Sequence, residues 1–196
     1  MTVPTDLLER DAETLLAGLI AVLSAKGIAT PAEIAERIAI TDAASPARGA
    51  SMVAKAWVDP DYRALMLADG TKAAEAMGII MRGAPPLGVL ECTPQMHALV
   101  VCTLCSCYPR AVLGYPPFWF KSAAYRARAV RDPRGLLAEF GTTLPEGTKI
   151  RVVDSTADCR WMVLPLRPAG TEGWDEARLA ALVREGDMIG VTQVRL

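Results

Sequence analysis

Histidine is almost absent from this chain of 196 residues, where His97 stands alone. A triad or Cys–His mechanism would have to use that one imidazole, which nearly excludes those chemistries. Positive charge is not in excess either: 21 Lys and Arg face 22 Asp and Glu, for a net charge of -1. That balance argues against a nucleic-acid binder relying on bulk positive charge. No apolar run reaches the roughly 18 residues of a membrane span. The first ten residues, which include Asp6 and Glu9, lack the basic-then-apolar order of a signal peptide. A soluble cytoplasmic protein is the expectation. Five cysteines are few for a disulfide framework, and their placement is uneven. Internal repeats and low-complexity tracts are missing too.

What is present is ordinary globular material, 52% hydrophobic and 22% charged, long enough to bury a core as one domain, or as one domain with an appended arm. From Leu7 to Leu23 apolar residues recur at helical spacing, and Gly27 marks a stop. Thr30-Pro31, with Glu33 three residues after the threonine, has the form of a capping box. Ser45-Pro46 opens a helix carrying Met52, Val53 and Trp57, and Asp59-Pro60 opens another to about Met77, closed by Gly78. Beyond a breaker-rich loop at Gly83, Pro85, Pro86 and Gly88, strands are expected at Val89-Leu90 and from Ala98 to Leu104. A helix capped by Ser122 and a second one from Asp132-Pro133 to Gly141 follow. Strands at Lys149–Val153, Trp161–Leu164 and Ile189–Val194 flank a helix led in by Thr171 to Glu185. The expected fold class is α+β: a helical N-terminal region over residues 1–80, then a compact mixed domain over 81–196 with a mostly antiparallel sheet around the cysteine cluster.

The informative stretch is Cys102-Thr103-Leu104-Cys105-Ser106-Cys107. Three cysteines at this spacing lack the nearby fourth ligand of an ordinary zinc site; Cys92 and His97 stand at no usual knuckle spacing. The pattern is neither a haem attachment motif nor a common iron–sulfur spacing. Geometry explains the Cys-Ser-Cys half better. If Cys105 and Cys107 bind one metal through sulfur, the peptide nitrogens of Ser106 and Cys107 lie between them and face the same centre. Deprotonated, those nitrogens complete a square plane of two nitrogens and two sulfurs. Cys102 can cap the plane from one side and leave the other open. Such donors suit trivalent, strong-field metals, and an open position suits Lewis-acid catalysis. Electron-rich thiolates of this kind are prone to oxidation.

The run Val100-Val101-Cys102-Thr103-Leu104-Cys105-Ser106-Cys107 resembles the metal claw of the nitrile hydratase α-subunit family, related to the thiocyanate hydrolase γ subunit. The resemblance extends to Trp57-Val58-Asp59-Pro60-Asp61-Tyr62, Leu67-Ala68-Asp69-Gly70 and Thr93-Pro94 with His97. It continues through Pro116-Pro117 with Trp119 and Lys121, then Tyr125-Arg126-Ala127-Arg128 and Arg131-Asp132-Pro133-Arg134. It ends in Leu164-Pro165, Arg167-Pro168 and Ala169-Gly170-Thr171-Glu172-Gly173-Trp174, so that residues 45 to 191 are covered.

The resemblance implies sulfur ligation by Cys102, Cys105 and Cys107, and backbone-nitrogen ligation by Ser106 and Cys107. It implies oxidation of Cys105 to a sulfinic acid and of Cys107 to a sulfenic acid. Threonine at 103, where the family's iron enzymes usually carry serine, favours cobalt(III), with iron(III) the alternative; no organic cofactor is implied. The activity implied is hydration of a small nitrile to its amide, with Cys105, Ser106 and Cys107 catalytic and Trp119 lining the substrate pocket. The partners implied are a metal-loading activator protein and one or more β-type subunits, which a chain of 21.0 kDa allows to be split into small chains. Nucleic acid and membrane are not among them. A thiocyanate hydrolase subunit is the nearest alternative, and a non-catalytic metal-binding or carrier subunit is the alternative from another class. A glutamine that the family often carries nineteen residues before its first claw cysteine falls here on Gly83, so whatever it positions must be replaced or lost. Elsewhere plainer readings hold: His97 as a satisfied structural histidine, Cys92 and Cys159 as inert small hydrophobes, and Trp57, Trp161 and Trp174 as core or interface. The basic stretch from Arg110 to Arg134 reads as a solvated or subunit-facing patch.

Overall fold

The computed structural model describes residues 5–196, with side chains from Asp11 onward. Its elements run α1 (Thr5–Ala25), α2 (Pro31–Asp42), α3 (Pro46–Val58), α4 (Pro60–Ala68), α5 (Gly70–Ala76), β1 (Leu87–Glu91) and β2 (Met96–Val101). Then come α6 (Arg110–Leu113), α7 (Phe118–Lys121), α8 (Ala123–Arg131), α9 (Pro133–Glu139), β3 (Lys149–Asp154), β4 (Arg160–Leu164), α10 (Glu176–Ala180) and α11 (Glu185–Ile189). The α+β class follows. No described helix is long and apolar enough to cross a membrane. The packing divides into two units, Met1–Ala43 and Ala44–Leu196. The sequence places its division after residue 80, whereas α3, α4 and α5 pack with the sheet-bearing unit.

In the first unit α1 and α2 are joined through Gly27, whose φ of 65° suits a residue without a Cβ. The capping box forms as read: Thr30 Oγ1 accepts the Glu33 N–H at 3.2 Å, and the Glu33 carboxylate accepts the Thr30 N–H at 2.7 Å. No residue of α2 is buried, and Leu15, Leu19 and Val22 of α1 stay exposed.

The second unit holds the core. Met52 and Val53 of α3, Met66 of α4, Leu99 of β2, Leu137 of α9, Met162 and Leu164 of β4 and Met188 of α11 are fully buried. Each contributes roughly 1.5–3 kcal/mol by leaving water. Asp59 caps α4 by accepting the Tyr62 N–H at 2.9 Å. The single helix expected from Asp59-Pro60 to Met77 breaks at Asp69, which turns extended (φ -153°) and takes the Lys72 N–H at 3.0 Å. The break brings Gly70 so close to β1 that a Cβ there would lie 2.6 Å from the Leu87 carbonyl oxygen.

The strands correct the expectation of a mostly antiparallel sheet. β1 pairs parallel with β4 in the register Leu87↔Arg160 to Glu91↔Leu164. β2 pairs parallel with β3 in the register Met96↔Lys149 to Val101↔Asp154. The short links β1–β2 and β3–β4 suggest hairpins, yet each carries the chain from one pair into the other. Strands covered on both faces read as unbroken apolar runs, which is the signature of parallel pairing; Ala98 to Val101 are all buried. Two expected strand ends are also corrected. β2 stops at Val101, because the next rung is taken by a side chain described below. Ile189–Val194 forms no strand: Gly190 ends α11 at φ 86°, and the Val191 N–H turns back to the Gly186 carbonyl at 2.9 Å.

Candidate metal centre

Strand β2 delivers Cys102 to the end of the β2–β3 pair. The Ser155 N–H reaches the Val101 carbonyl at 2.7 Å, completing the ladder one residue before the cysteine. Asp154, opposite Val101, then captures the chain as it leaves: Oδ1 accepts the Thr103 N–H at 3.0 Å and Oδ2 accepts the Thr103 hydroxyl at 2.5 Å. A carboxylate holding both donors of one residue ends strand pairing and turns the backbone. The turn brings residues 105–107 back over Cys102, whose sulfur accepts the Cys105 N–H at 3.3 Å.

The three sulfurs of Cys102, Cys105 and Cys107 lie within 4.8 Å of one another, and all three are free thiols. Cys102 is buried, Cys105 exposed and Cys107 half-buried. The Sγ–Sγ separations are 3.5 Å from Cys102 to Cys105 and 3.2 Å from Cys105 to Cys107. Two sulfurs each about 2.3 Å from one metal stand about 3.3 Å apart at a right angle and about 3.8 Å apart at the tetrahedral angle. The observed spacings fit a right-angled, square or octahedral donor set better than a tetrahedral zinc site. The Cys105 thiol is held below its ordinary range by the sulfurs of Cys107 and Cys102, then by the N–H groups of Ser106 and Cys107. Both N–H groups thus favour a thiolate at Cys105. Cys107 is pushed up to about 11 by burial first and by Cys105 and Cys102 next, while the Arg160 guanidinium beside it pulls the other way.

Around this loop stands a shell that the local sequence does not reveal. Arg126 of α8 donates from Nη1 to the Cys105 carbonyl at 3.3 Å. Among the described residues, the buried side-chain polar atoms left without a hydrogen-bond partner are Arg126 Nε and Arg160 Nη1. Both belong to guanidiniums at the cysteine loop, so the unmet donors collect where oxygen or anionic charge on Cys105 and Cys107 would satisfy them. Tyr108, next to Cys107, donates its hydroxyl to Glu185 at 2.5 Å and packs edge-on to Phe120 at 5.0 Å. Asp154, Arg160 and Glu185 come from remote segments and carry no motif. Arg126 lies in the basic stretch read as a patch, and only its place beside Tyr125 could have singled it out.

The structure thus gathers Cys102, Cys105, Ser106 and Cys107 in one loop. Trp119 stands behind β2 in an aromatic cluster, edge-on to Tyr125 and Phe140 at 5.0 Å each, and Tyr125 in turn donates to the Val100 carbonyl at 2.6 Å. Its ring contacts are with this cluster. His97 is buried with Nε2 2.7 Å from the Gly190 carbonyl. Gly83 sits in the turn before β1 with φ 77°.

The chain is similar to known proteins of one kind. The low-molecular weight cobalt-containing nitrile hydratase subunit alpha of Rhodococcus rhodochrous is 54% identical over 147 residues, 75% of this chain and 71% of that protein. Thiocyanate hydrolase subunit gamma of Thiobacillus thioparus is 46% identical over 157 residues, 74% of this chain and 65% of that one. A double mutant of Fe-type nitrile hydratase from Comamonas testosteroni Ni1 superposes with a TM-score of 0.84 at 39% identity, over 98% of this chain and 92% of that one. The relatives thus include cobalt and iron proteins. The family model for "Nitrile hydratase, alpha chain" matches residues 10–192, and with that match the chain belongs to the nitrile hydratase α-chain family.

Proposed function

We propose that this chain is the α subunit of a cobalt(III) nitrile hydratase. The observation that carries the reading is the set of three sulfurs within 4.8 Å, with neighbouring sulfurs 3.5 and 3.2 Å apart. Cys102, Cys105 and Cys107 would hold the metal through sulfur, and Ser106 and Cys107 through deprotonated backbone nitrogen. Cobalt is favoured over iron by Thr103 and by the cobalt-containing relative. A metal held there would supply Lewis-acid polarisation of a bound nitrile or water.

The chain's own residues do the rest. Cys105 and Cys107, free thiols here, would be oxidised by an outside oxidant of the dioxygen class to a sulfinic and a sulfenic acid. The Cys107 oxygen acts as nucleophile on the nitrile carbon or as base toward water, with its charge held by Arg160. The Ser106 hydroxyl orients the reacting group, and Trp119 walls the pocket. One or more β-type subunits complete that pocket, a separate activator protein loads the metal, and the cytoplasm is the site of work, as free cysteines suit.

Thiocyanate hydrolysis is the second reading, favoured by the likeness to the Thiobacillus thioparus subunit and by the continuation Cys107-Tyr108-Pro109-Arg110. Co-expression with the partner subunits in cobalt medium, followed by metal and product analysis, tests both. Close to one chelator-resistant cobalt per chain and an amide from a nitrile are expected. Carbonyl sulfide and ammonia from thiocyanate, without nitrile turnover, would move the chain to the second reading. Readily removed zinc and no turnover would leave a non-catalytic metal-binding chain.

A further inference from the structure

A second sulfur–nitrogen pair lies at the far end of β2, about 16 Å along the strand from Cys102 at 3.3 Å per residue. Cys92 follows β1 directly and His97 is the second residue of β2; the Cys92 sulfur stands 3.8 Å from His97 Nδ1. The Gly190 carbonyl, 2.7 Å from Nε2, can only accept, so Nε2 carries the proton. Burial disfavours the charged ring, which leaves the Nδ1 lone pair directed at the thiol. Gly190 itself is fixed: a Cβ there would lie 2.0 Å from the Ala98 carbonyl oxygen. The Ala98 N–H donates to the Cys92 sulfur at 3.3 Å. A ring nitrogen tied to a carbonyl with its other nitrogen turned to a second donor atom is the pattern of a metal-ligating histidine. Burial pushes the Cys92 thiol up to about 11 against the pull of the Ala98 N–H, so the thiolate forms only with a cation on the sulfur.

Both residues line a cleft of about 190 Å³ together with Arg167, Asp187, Gln193 and Arg195. Asp187 is already engaged by the Thr192 hydroxyl and the Arg184 N–H, so it adds no ligand. We infer that Cys92 and His97 form a two-coordinate site for a soft monovalent cation of the copper(I) class, separate from the cysteine claw. On binding, the Cys92 S–H bond breaks, its proton leaves to solvent, and sulfur and Nδ1 each donate an electron pair to the ion. No electron is transferred. A monovalent ion on a thiolate makes a neutral unit, so it adds no net charge to a cleft that already sets Arg167 and Arg195 against Asp187. Thiolate and imidazole suit soft ions, and a linear sulfur–metal–nitrogen unit of about 4.3 Å needs the pair to open by only about half an ångström.

The test is anaerobic copper(I) uptake by the cobalt-loaded assembly, measured by competition with a chromogenic chelator. C92S in the same preparation isolates this site whatever the claw holds. The wild type takes up one more copper(I) per chain than C92S. H97Q weakens that ion by more than the roughly 10- to 100-fold that losing an outer-shell partner costs, and C159S changes nothing. Equal uptake by C92S, or unchanged affinity in H97Q, overturns the site. Should C92S fail to melt cooperatively, copper-edge X-ray absorption of the wild type decides: one sulfur and one nitrogen neighbour support the pair, and an all-sulfur shell overturns it.

Discussion

A buried guanidinium nitrogen without an acceptor costs about 1–3 kcal/mol, more when charged, and the two described here are both at the cysteine loop, on Arg126 and Arg160. That cost is explained if the loop, in its working state, presents oxygens or anionic sulfur to these donors. Arg160 is the more consequential of the two because it stands against Cys107, the residue assigned the reacting oxygen. Replacing it by Met should leave cobalt content unchanged and lower kcat by ~10²–10³-fold, the usual effect of losing one donor to developing charge. Lys should restore part of that loss, since it keeps the charge but not the fork. Steady-state kinetics on the assembled enzyme decides, and a Met variant with wild-type kcat would show that Arg160 only fills space. The claw residues were legible in the sequence because ligands in one six-residue run need no tertiary structure to be recognised. Arg160 was not, since nothing in residues 159–161 announces that β4, paired with β1, will bring it to Cys107. Asp154 was equally hidden, being visible only once β3 is known to pair in parallel.

At the level of elements, the helix starts were readable and the strand partners were not. Thr30, Asp59, Ser122 and Asp132 each cap a helix as expected, the last two by accepting the Tyr125 and Gly135 N–H groups at 3.1 and 3.0 Å. A cap is decided within three residues, whereas pairing β1 with β4 is decided across the intervening helices. Asp69 shows the limit of reading periodicity, because it re-caps the chain in mid-pattern. Asp69 and Asp132 are held below the ordinary value of 3.8, first of all by the backbone N–H each accepts. The sign follows: their charge stabilises the fold fully above the ordinary carboxyl value, and the gain is lost as pH falls through the lower folded values. Asparagine caps about as well without ionising. The double variant D69N/D132N should therefore lose less thermal stability than the wild type between pH 5 and pH 2 (about that span, given ordinary carboxyl values), as read by circular dichroism melts. Parallel pH curves would mean that these caps contribute no charge-dependent stability.

Across the whole molecule, the division at Ala43 separates a pair of helices with little burial from a unit that owns its core. The buried apolar cluster is drawn from Ala50 onward, and it already includes α3, α4 and α5, which the sequence had grouped with the N-terminal helices because all are alanine-rich and helical. Composition groups residues by type, but a folding unit is defined by what covers its apolar faces. Met52, Val53, Ala54 and Ala56 of α3 are covered by the sheet-bearing unit, and Arg167 ties the end of α3 to it by donating to the Trp57 carbonyl at 3.1 Å. By contrast Leu15 of α1 is 74% exposed. Residues 44–196 should therefore fold without residues 1–43: the truncated chain should melt cooperatively, with a Tm within about 2–4 °C of the full chain, the shift expected for a change of ~1 kcal/mol in a domain of this size. The three claw sulfurs should stay clustered, so that a thiol-sensitive probe such as cobalt(II) gives the same sulfur-to-metal absorption in both chains. A truncated chain that melts without cooperativity would place part of the folding energy in the first two helices. A cooperative melt with a lost cobalt(II) spectrum would show instead that the N-terminal helices shape the metal loop.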